Sequence, residues 1–188
     1  APDIHPLLPL LIVLTGSTGR RLSSVLGLMW EDIDLTRRTV TWRAELDKGR
    51  RTWVGPLPDR AAATLLDRLG TIGLHARGFL FPARRKPGKS VSRHLAADWL
   101  KKAYRTANVA KPVGSLWHCF RRKWATDRKN YPVVDVAAAG GWRDIRTLLT
   151  CYQQPDPDTM RAVVERRPID QKLTHELTHL NHKQNGAA

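Results

Sequence analysis

His118-Cys119-Phe120-Arg121 spaces an imidazole and a guanidinium three residues apart. On a helix, positions i and i+3 share a face, so both side chains point the same way, an arrangement suited to two donors on one phosphate. The pair alone assigns nothing, because basic helices often contain it. Cys119 beside His118 does not read as a thiol with its base, since adjacent helical residues diverge. Gly16-Ser17-Thr18-Gly19-Arg20 lacks the Gly-Lys-Ser/Thr of a phosphate-cradling loop. His175-Glu176-Leu177-Thr178-His179 is a literal HExxH, whose imidazoles at i and i+4 could hold zinc with Glu176 as base. Only nine residues follow it, His182 lacks the spacing of a third ligand, and Ile169, Leu173, Leu177 and Leu180 form an apolar stripe. The expectation there is a helix over 169–182 that docks by its apolar face, on a neighbouring copy or in cis on its own chain, with no metal.

The elements that must position such groups follow from period and punctuation. A helix is expected from about Pro6 to Leu14, ending at a Thr15–Gly16 turn, and a second after Gly19 with Leu22, Val25, Leu26 and Met29 at helical spacing. The period then changes. Thr39 to Leu46 is β-branched and aromatic with alternation, Asp47-Lys48-Gly49-Arg50 has turn composition, and Arg51 to Val54 returns, which predicts a β-hairpin with Lys48 at its tip. Further helices are expected from Pro58–Asp59 to Leu69, from a Ser92 cap to Thr106 with Leu95, Trp99, Leu100 and Ala103 inward, and from a Ser115 cap to Arg128. Short helices follow at Val133–Ala139 and Ile145–Leu149. The fold class is therefore mainly α with a small antiparallel β-sheet (α+β). Tyr104 reads as packing, Tyr131 as loop, and Trp30, Trp42, Trp53, Trp99, Trp117 and Trp124 as core or half-buried surface.

Taken in order, the parts resemble the catalytic domain of the tyrosine recombinases, the phage integrase family. Thr18-Gly19-Arg20-Arg21 matches T-G-x-R, and Leu28-Met29-Trp30-Glu31-Asp32-Ile33-Asp34 matches L-x-W-x-D-I-D. Lys48 precedes the strand end Pro56-Leu57, His118 and Arg121 form H-x-x-R, Gly141-Trp142 stands for G-H or G-W, and Tyr152 follows. The resemblance covers about residues 10 to 155 and rests on six elements of different type in the right order. It implies site-specific DNA recombination or integration by strand cleavage and rejoining through a 3′-phosphotyrosine. By that resemblance Tyr152 is the nucleophile, Arg21 and Arg121 hold the nonbridging phosphate oxygens, and His118 donates to the same phosphate or manages the tyrosine proton. Trp142 offers an indole N–H and packs the nucleophile segment, and Lys48 protonates the leaving oxygen. Such chemistry needs neither metal nor other cofactor. Departures are Ser24, where the family usually has Glu or Asp, Arg122, where His commonly follows the second arginine, and a Trp142-to-Tyr152 spacing about one residue longer than usual. The alternatives are relaxation of the type IB topoisomerase kind and a basic DNA-binding module without turnover.

Composition agrees with a polyanion partner. The 188 residues carry 32 Lys and Arg against 17 Asp and Glu, a net charge of +15, while 41% hydrophobic residues exclude a disordered basic tail. Residues 77–130 hold thirteen of that net charge. The expected partner is double-stranded DNA, contacted by Arg50, Arg51, Arg84, Arg85, Lys86, Lys89, Arg93, Arg122 and Lys123, with Pro82 to Lys89 as a mobile basic loop. Self-association on DNA, as a tetrameric synapse with 169–182 as the contact in trans, is a further implication of the resemblance. Cys119 and Cys151 match no disulfide framework or zinc spacing, and Leu7 to Leu14 is too short and too interrupted by Pro9 to span a membrane. A cytoplasmic location in a bacterial, phage or mobile-element setting is expected. The start at Ala1, close to an apolar run, suggests an excised fragment. It is read as a catalytic domain over 1–168 that lacks the family's preceding core-binding domain, followed by an amphipathic tail over 169–188.

Overall fold

The computed structural model describes residues 4–47, 50–112 and 114–165. Lys48, the HExxH and the stripe over 169–182 lie outside these residues. The chain divides into two units, Ala1–Gln153 and Gln154–Ala188.

The first unit is organised around α1 (Leu8–Thr18), which carries Pro9 in its first turn, where the missing N–H costs no helical bond. This helix is apolar on nearly every side and must be enclosed. Leu8, Leu11 and Leu14 are fully buried. The expected stop at Gly16 is overrun. The hydroxyls of Thr15, Ser17 and Thr18 donate back to the carbonyls of Leu11, Val13 and Leu14 at 2.6–2.7 Å, and the helix ends instead at Gly19, in the left-handed region at φ +64°. Short α2 (Leu22–Leu26) follows and leaves Met29 outside it. Met29 instead opens the 3-10 turn Trp30–Asp32, where its backbone N–H donates to Asp32 Oδ2 at 2.8 Å.

Three antiparallel strands follow, β1 (Ile33–Asp34), β2 (Thr39–Trp42) and β3 (Trp53–Pro56), in that spatial order. Thr39 faces Pro56 and Trp42 faces Trp53. The predicted hairpin is present, but its first strand stops at Trp42 rather than Leu46, because Ala44–Leu46 winds into a 3-10 turn. Leu46 packs onto Gly27 so closely that a Cβ there would lie 2.3 Å from Leu46 Cδ2. Arg43 bridges Asp32 and the Gly27 carbonyl, tying the end of β2 to the same place.

The remaining helices of the unit are α3 (Asp59–Ile72), α4 (Arg93–Thr106), α5 (His118–Thr126), α6 (Val133–Gly140) and α7 (Ile145–Cys151). Helices α3, α4 and α5 contact α1. Ser92 caps α4 as expected, accepting from Leu95 N, but Leu95 itself points outward. Ser115 is not the cap of α5. That helix starts at His118, three residues later, and its N-cap residue is Trp117, with no capping side chain. The basic loop is closed at its base by antiparallel pairing of Pro82 with Ser90 and by Ala83 N–H donating to the Lys89 carbonyl. The architecture is mainly helical with a small antiparallel sheet, as the sequence implied.

Two apolar clusters result. The larger joins α1, the sheet, α3 and α4. The smaller holds Trp124, Ala125, Val136, Ala137, Trp142, Leu148 and Tyr152. In the second unit, the described helix α8 (Pro157–Glu165) was not anticipated; Asp156 sets its start by accepting from Thr159 N at 2.9 Å.

Candidate functional site

Arg21 stands at the N-cap of α2, and His118 and Arg121 lie one turn apart on α5. All three line one cleft of about 320 Å³, together with Arg93, His94 and Trp117. Helical spacing supplies the common face of His118 and Arg121, and the packing of α5 on α1 brings that face to the turn carrying Arg21.

Arg121 is the most deeply set of these groups, at 2% exposure. Its Nη1 donates to the carbonyls of Gly19 and Gly140, whereas Nε and Nη2 have no hydrogen-bond partner among the described residues. No carboxylate pairs with it among those residues either. Burial, and then the nearby Arg21, push its pKa well below the ordinary guanidinium value, down to about 9, with Tyr152 acting in the opposite direction. A guanidinium buried with two idle nitrogens is in deficit of acceptors.

Trp142 and Tyr152 pack against Arg121 without lining that cleft. The Arg121 guanidinium carbon lies over the Trp142 ring at 3.4 Å and over the Tyr152 ring at 5.2 Å. Trp142 meets Tyr152 edge-on with centroids 4.9 Å apart, and His118 is 5.2 Å from Tyr152. The Tyr152 backbone is fixed as well, because Thr126 Oγ1 on α5 donates to its carbonyl at 3.0 Å and its own N–H donates to Leu148. The indole nitrogens of Trp142 and Trp117 are buried without partners among the described residues. Burial lowers the His118 pKa, and Arg122, Arg121 and Arg21 lower it further, so the neutral imidazole is favoured and can accept a proton.

Close approach explains the glycines. A Cβ on Gly140 would lie 2.0 Å from Trp142 Cζ3 and 2.9 Å from Trp124 Cζ3. Trp124 stacks on Trp142 with centroids 6.0 Å apart and donates from Nε1 to the Ser17 carbonyl at 2.9 Å, bracing α5 against the end of α1. Ser24, which departs from the resemblance, is buried and donates to the Leu46 carbonyl at 2.5 Å. It ties α2 to the 3-10 turn Ala44–Leu46.

The structure thus gathers Arg21, His118, Arg121, Trp142 and Tyr152, while Lys48 falls outside the described residues. Of the residues expected on the binding surface, Arg93 lines the same cleft. Arg51 lines a second cleft of about 260 Å³ with Trp142, and Arg20 lines both. Arg50, Arg122 and Lys123 are exposed, Lys123 being paired with Asp127. Arg84, Arg85, Lys86 and Lys89 are exposed on their loop and do not line this cleft. His94 was missed for want of any sequence signal. Arg20, buried at 5%, was passed over although a doubled arginine after a glycine turn could have drawn notice. Chemically, the arrangement offers a phenol, an imidazole beside it and two guanidiniums for a pair of oxygens sharing negative charge. No group of three or more metal-ligating side chains occurs among the described residues. No helix among them is long and apolar enough to cross a membrane.

Comparison with known proteins gives a consistent answer. The pattern of the phage integrase family matches residues 7–158. A Pseudomonas syringae protein named as a tyrosine recombinase XerC is 25% identical over 155 residues, covering 80% of this chain and 33% of that protein. Its Pseudomonas aeruginosa namesake is 26% identical over 160 residues, covering 82% and 37%. The chain therefore spans about a third of the length of these relatives. Among solved structures, XerA recombinase superposes with a TM-score of 0.69 at 16% identity, covering 89% of this chain and 59% of that one. XerH recombinase bound to its palindromic difH substrate gives 0.65 at 17%, covering 88% and 48%. These likenesses show the same fold, and the family match, which takes in every site residue from Arg21 to Tyr152, shows that the chain belongs to the phage integrase family.

Proposed function

We propose that this chain is the catalytic part of a tyrosine-type site-specific recombinase, which cleaves and rejoins double-stranded DNA without a metal or other cofactor. Tyr152 Oη attacks a backbone phosphorus, forming a 3′-phosphotyrosine as the bond to the 5′ oxygen breaks. Neutral His118 takes the phenolic proton or donates to the phosphate. Arg21 and Arg121 hold the nonbridging oxygens, and Trp142 keeps the nucleophile and Arg121 in contact. The 5′ oxygen leaves as a hydroxyl, with Lys48 as the acid. Rejoining reverses the step, and the phosphotyrosine conserves the bond energy.

The observation that carries this reading is the buried Arg121, with two nitrogens lacking acceptors and the Tyr152 ring 5.2 Å away. An incoming phosphate supplies those acceptors. The exposed cations Arg50, Arg51, Arg84, Arg85, Lys86, Lys89, Arg93, Arg122 and Lys123 belong to the same proposal as backbone contacts along the duplex. Self-association on DNA through 169–182, in a larger protein whose other segments supply target recognition, belongs to it too.

The test is a pool of nicked duplexes with a randomised centre, whose short cleaved fragment diffuses away and traps the covalent state. Incubation with EDTA should yield a denaturation-resistant protein–DNA adduct that Tyr152→Phe abolishes. Absence of an adduct across the pool, or its loss on chelation, refutes the proposal.

A further inference from the structure

Arg20 occupies the variable position of T-G-x-R, and its environment is not that of a surface cation. Its side chain crosses from the end of α1 to the end of α6, where Nε donates to the Ala139 carbonyl at 3.0 Å and Nη2 to the Ala138 carbonyl at 3.2 Å. The Gly140 carbonyl, next in line, is taken by Arg121. The last carbonyls of a helix have no intrahelical donor, and their partial negative charge favours a cation there. Two guanidiniums thus close the C-terminus of α6 side by side.

The fit beyond those carbonyls is tight. The chain leaves α6 through Gly141, in the left-handed region at φ +71°, and a Cβ there would fall 2.3 Å from Arg20 Nη1. The next residue is Trp142, whose ring carries Arg121 on one face and meets Tyr152 at its edge. On its other side Arg20 lies 4.9 Å from the Trp42 ring of β2. Burial lowers the Arg20 pKa to about 10, with Asp47 opposing, so a charge is kept here at a cost in solvation.

We propose that Arg20 is a positioning residue of the strand-transfer reaction. It anchors the Gly140–Gly141–Trp142 turn to the hairpin, so that Trp142 holds Arg121 and Tyr152 in register for attack. The proposal rests on the recombinase reading above. Arg20 itself has no need to touch the substrate.

The experiment uses the 188-residue chain and a nicked duplex recovered from the adduct pool, with two readouts, single-turnover phosphotyrosine formation and equilibrium binding. Arg20→Met, which keeps the buried stem, should slow adduct formation roughly 10–100-fold, the scale of an ångström of misplacement at a reacting centre. Binding to the same duplex should stay within about threefold, well under the tenfold step that 1.4 kcal/mol represents. Arg20→Lys should rescue only part of the rate, since one ammonium cannot span two carbonyls as a planar fork does. Gly141→Ala should slow attack in the Arg20 background and slow it less in the Arg20→Met background, where its methyl group no longer meets Nη1.

If Arg20→Met does not fold, Arg20→Lys and Gly141→Ala carry the test through the same two readouts. Equal losses in rate and binding, an unchanged rate, or additive effects of the pair overturn the proposal. If the unaltered chain forms no adduct, the recombinase reading has failed and takes this one with it. If that chain reacts and the Arg20 variants react as fast, only the inference about Arg20 fails.

Discussion

Replacing Arg121 with methionine should separate stability from chemistry. The guanidinium is 2% exposed, and burial with repulsion from Arg21 holds its pKa down at about 9, a cost on the order of 5 kcal/mol. Against that stand its Nη1 bonds to the Gly19 and Gly140 carbonyls, worth about 1.5–3 kcal/mol each because the donor is charged. The two sums nearly cancel. Methionine fills much of the same volume beside the Trp142 ring, and the cost of leaving the two carbonyls unpaired is the one already counted in those lost bonds. The net change should fall within about 2 kcal/mol of zero, or roughly 4–8 °C in Tm for a chain of this size. By contrast, losing one member of a buried ion pair costs about 3–5 kcal/mol. The single-turnover rate of adduct formation should drop by about 10³ or more, because one preorganised donor to a developing oxyanion is worth 10²–10³ and a guanidinium supplies two. The assay is thermal unfolding beside the nicked-duplex reaction. A fall in Tm beyond about 12 °C would show that Arg121 is a structural keystone rather than a strained functional group. An adduct rate within tenfold of the unaltered chain would show that no phosphate bonds to it.

Three other outcomes follow from the same geometry. Gly140→Ala should lower Tm, because overpacking against Trp142 and Trp124 costs about 1–3 kcal/mol and outweighs the roughly 1 kcal/mol helix preference for alanine, and it should also slow attack. Gly70→Ala, on the exposed face of α3 with nothing within 4 Å of the new methyl, should raise Tm by that preference alone, so equal signs in melting curves of the pair would refute the packing argument. The folded state disfavours protonated His118 and His5, so the unfolded chain binds protons more readily as pH falls through 6.5. The contribution of these two histidines should be flat above that pH and should lower stability below it until the lowered pKa values are passed. His118→Gln should remove part of that slope in unfolding titrations between pH 7 and 5, and an unchanged slope would contradict the assignment. Ser24→Ala should cost about 1–3 kcal/mol in denaturant unfolding by stranding the Leu46 carbonyl. A neutral result would mean that water replaces the hydroxyl.

The elements that sequence periodicity located well are those whose burial is one-sided. Helix α3 runs three residues past its expected end at Leu69, and α4 matches its Ser92 start and Thr106 end. Prediction failed where side chains bond locally or the backbone meets another element. The hydroxyls of Thr15, Ser17 and Thr18 carry α1 past a glycine, and Leu46 stops a strand by seating itself on Gly27, a contact between residues nineteen apart. No pattern of alternation records such a contact. Leu95 was placed inward from helical spacing alone, and it lies on the outer face one turn before the buried Trp99.

The site itself divides along the same line. Arg21, His118, Arg121, Trp142 and Tyr152 were legible because each belongs to a short motif, and the structure adds the reason they can meet. The C-terminal end of α6 is closed by Arg20 and Arg121, and Trp124 and Trp142 stack beside a glycine. The net charge of +15 predicted cations facing a polyanion, yet the two most deeply buried of them face backbone carbonyls and aromatic rings. Charge counting fails there because burial changes what a cation does. An exposed lysine gains by releasing counterions from a phosphate backbone, whereas a guanidinium already stripped of water has less solvation left to lose when phosphate arrives. For Arg121 the desolvation has been met during folding, and its idle Nε and Nη2 are the form in which that cost is stored.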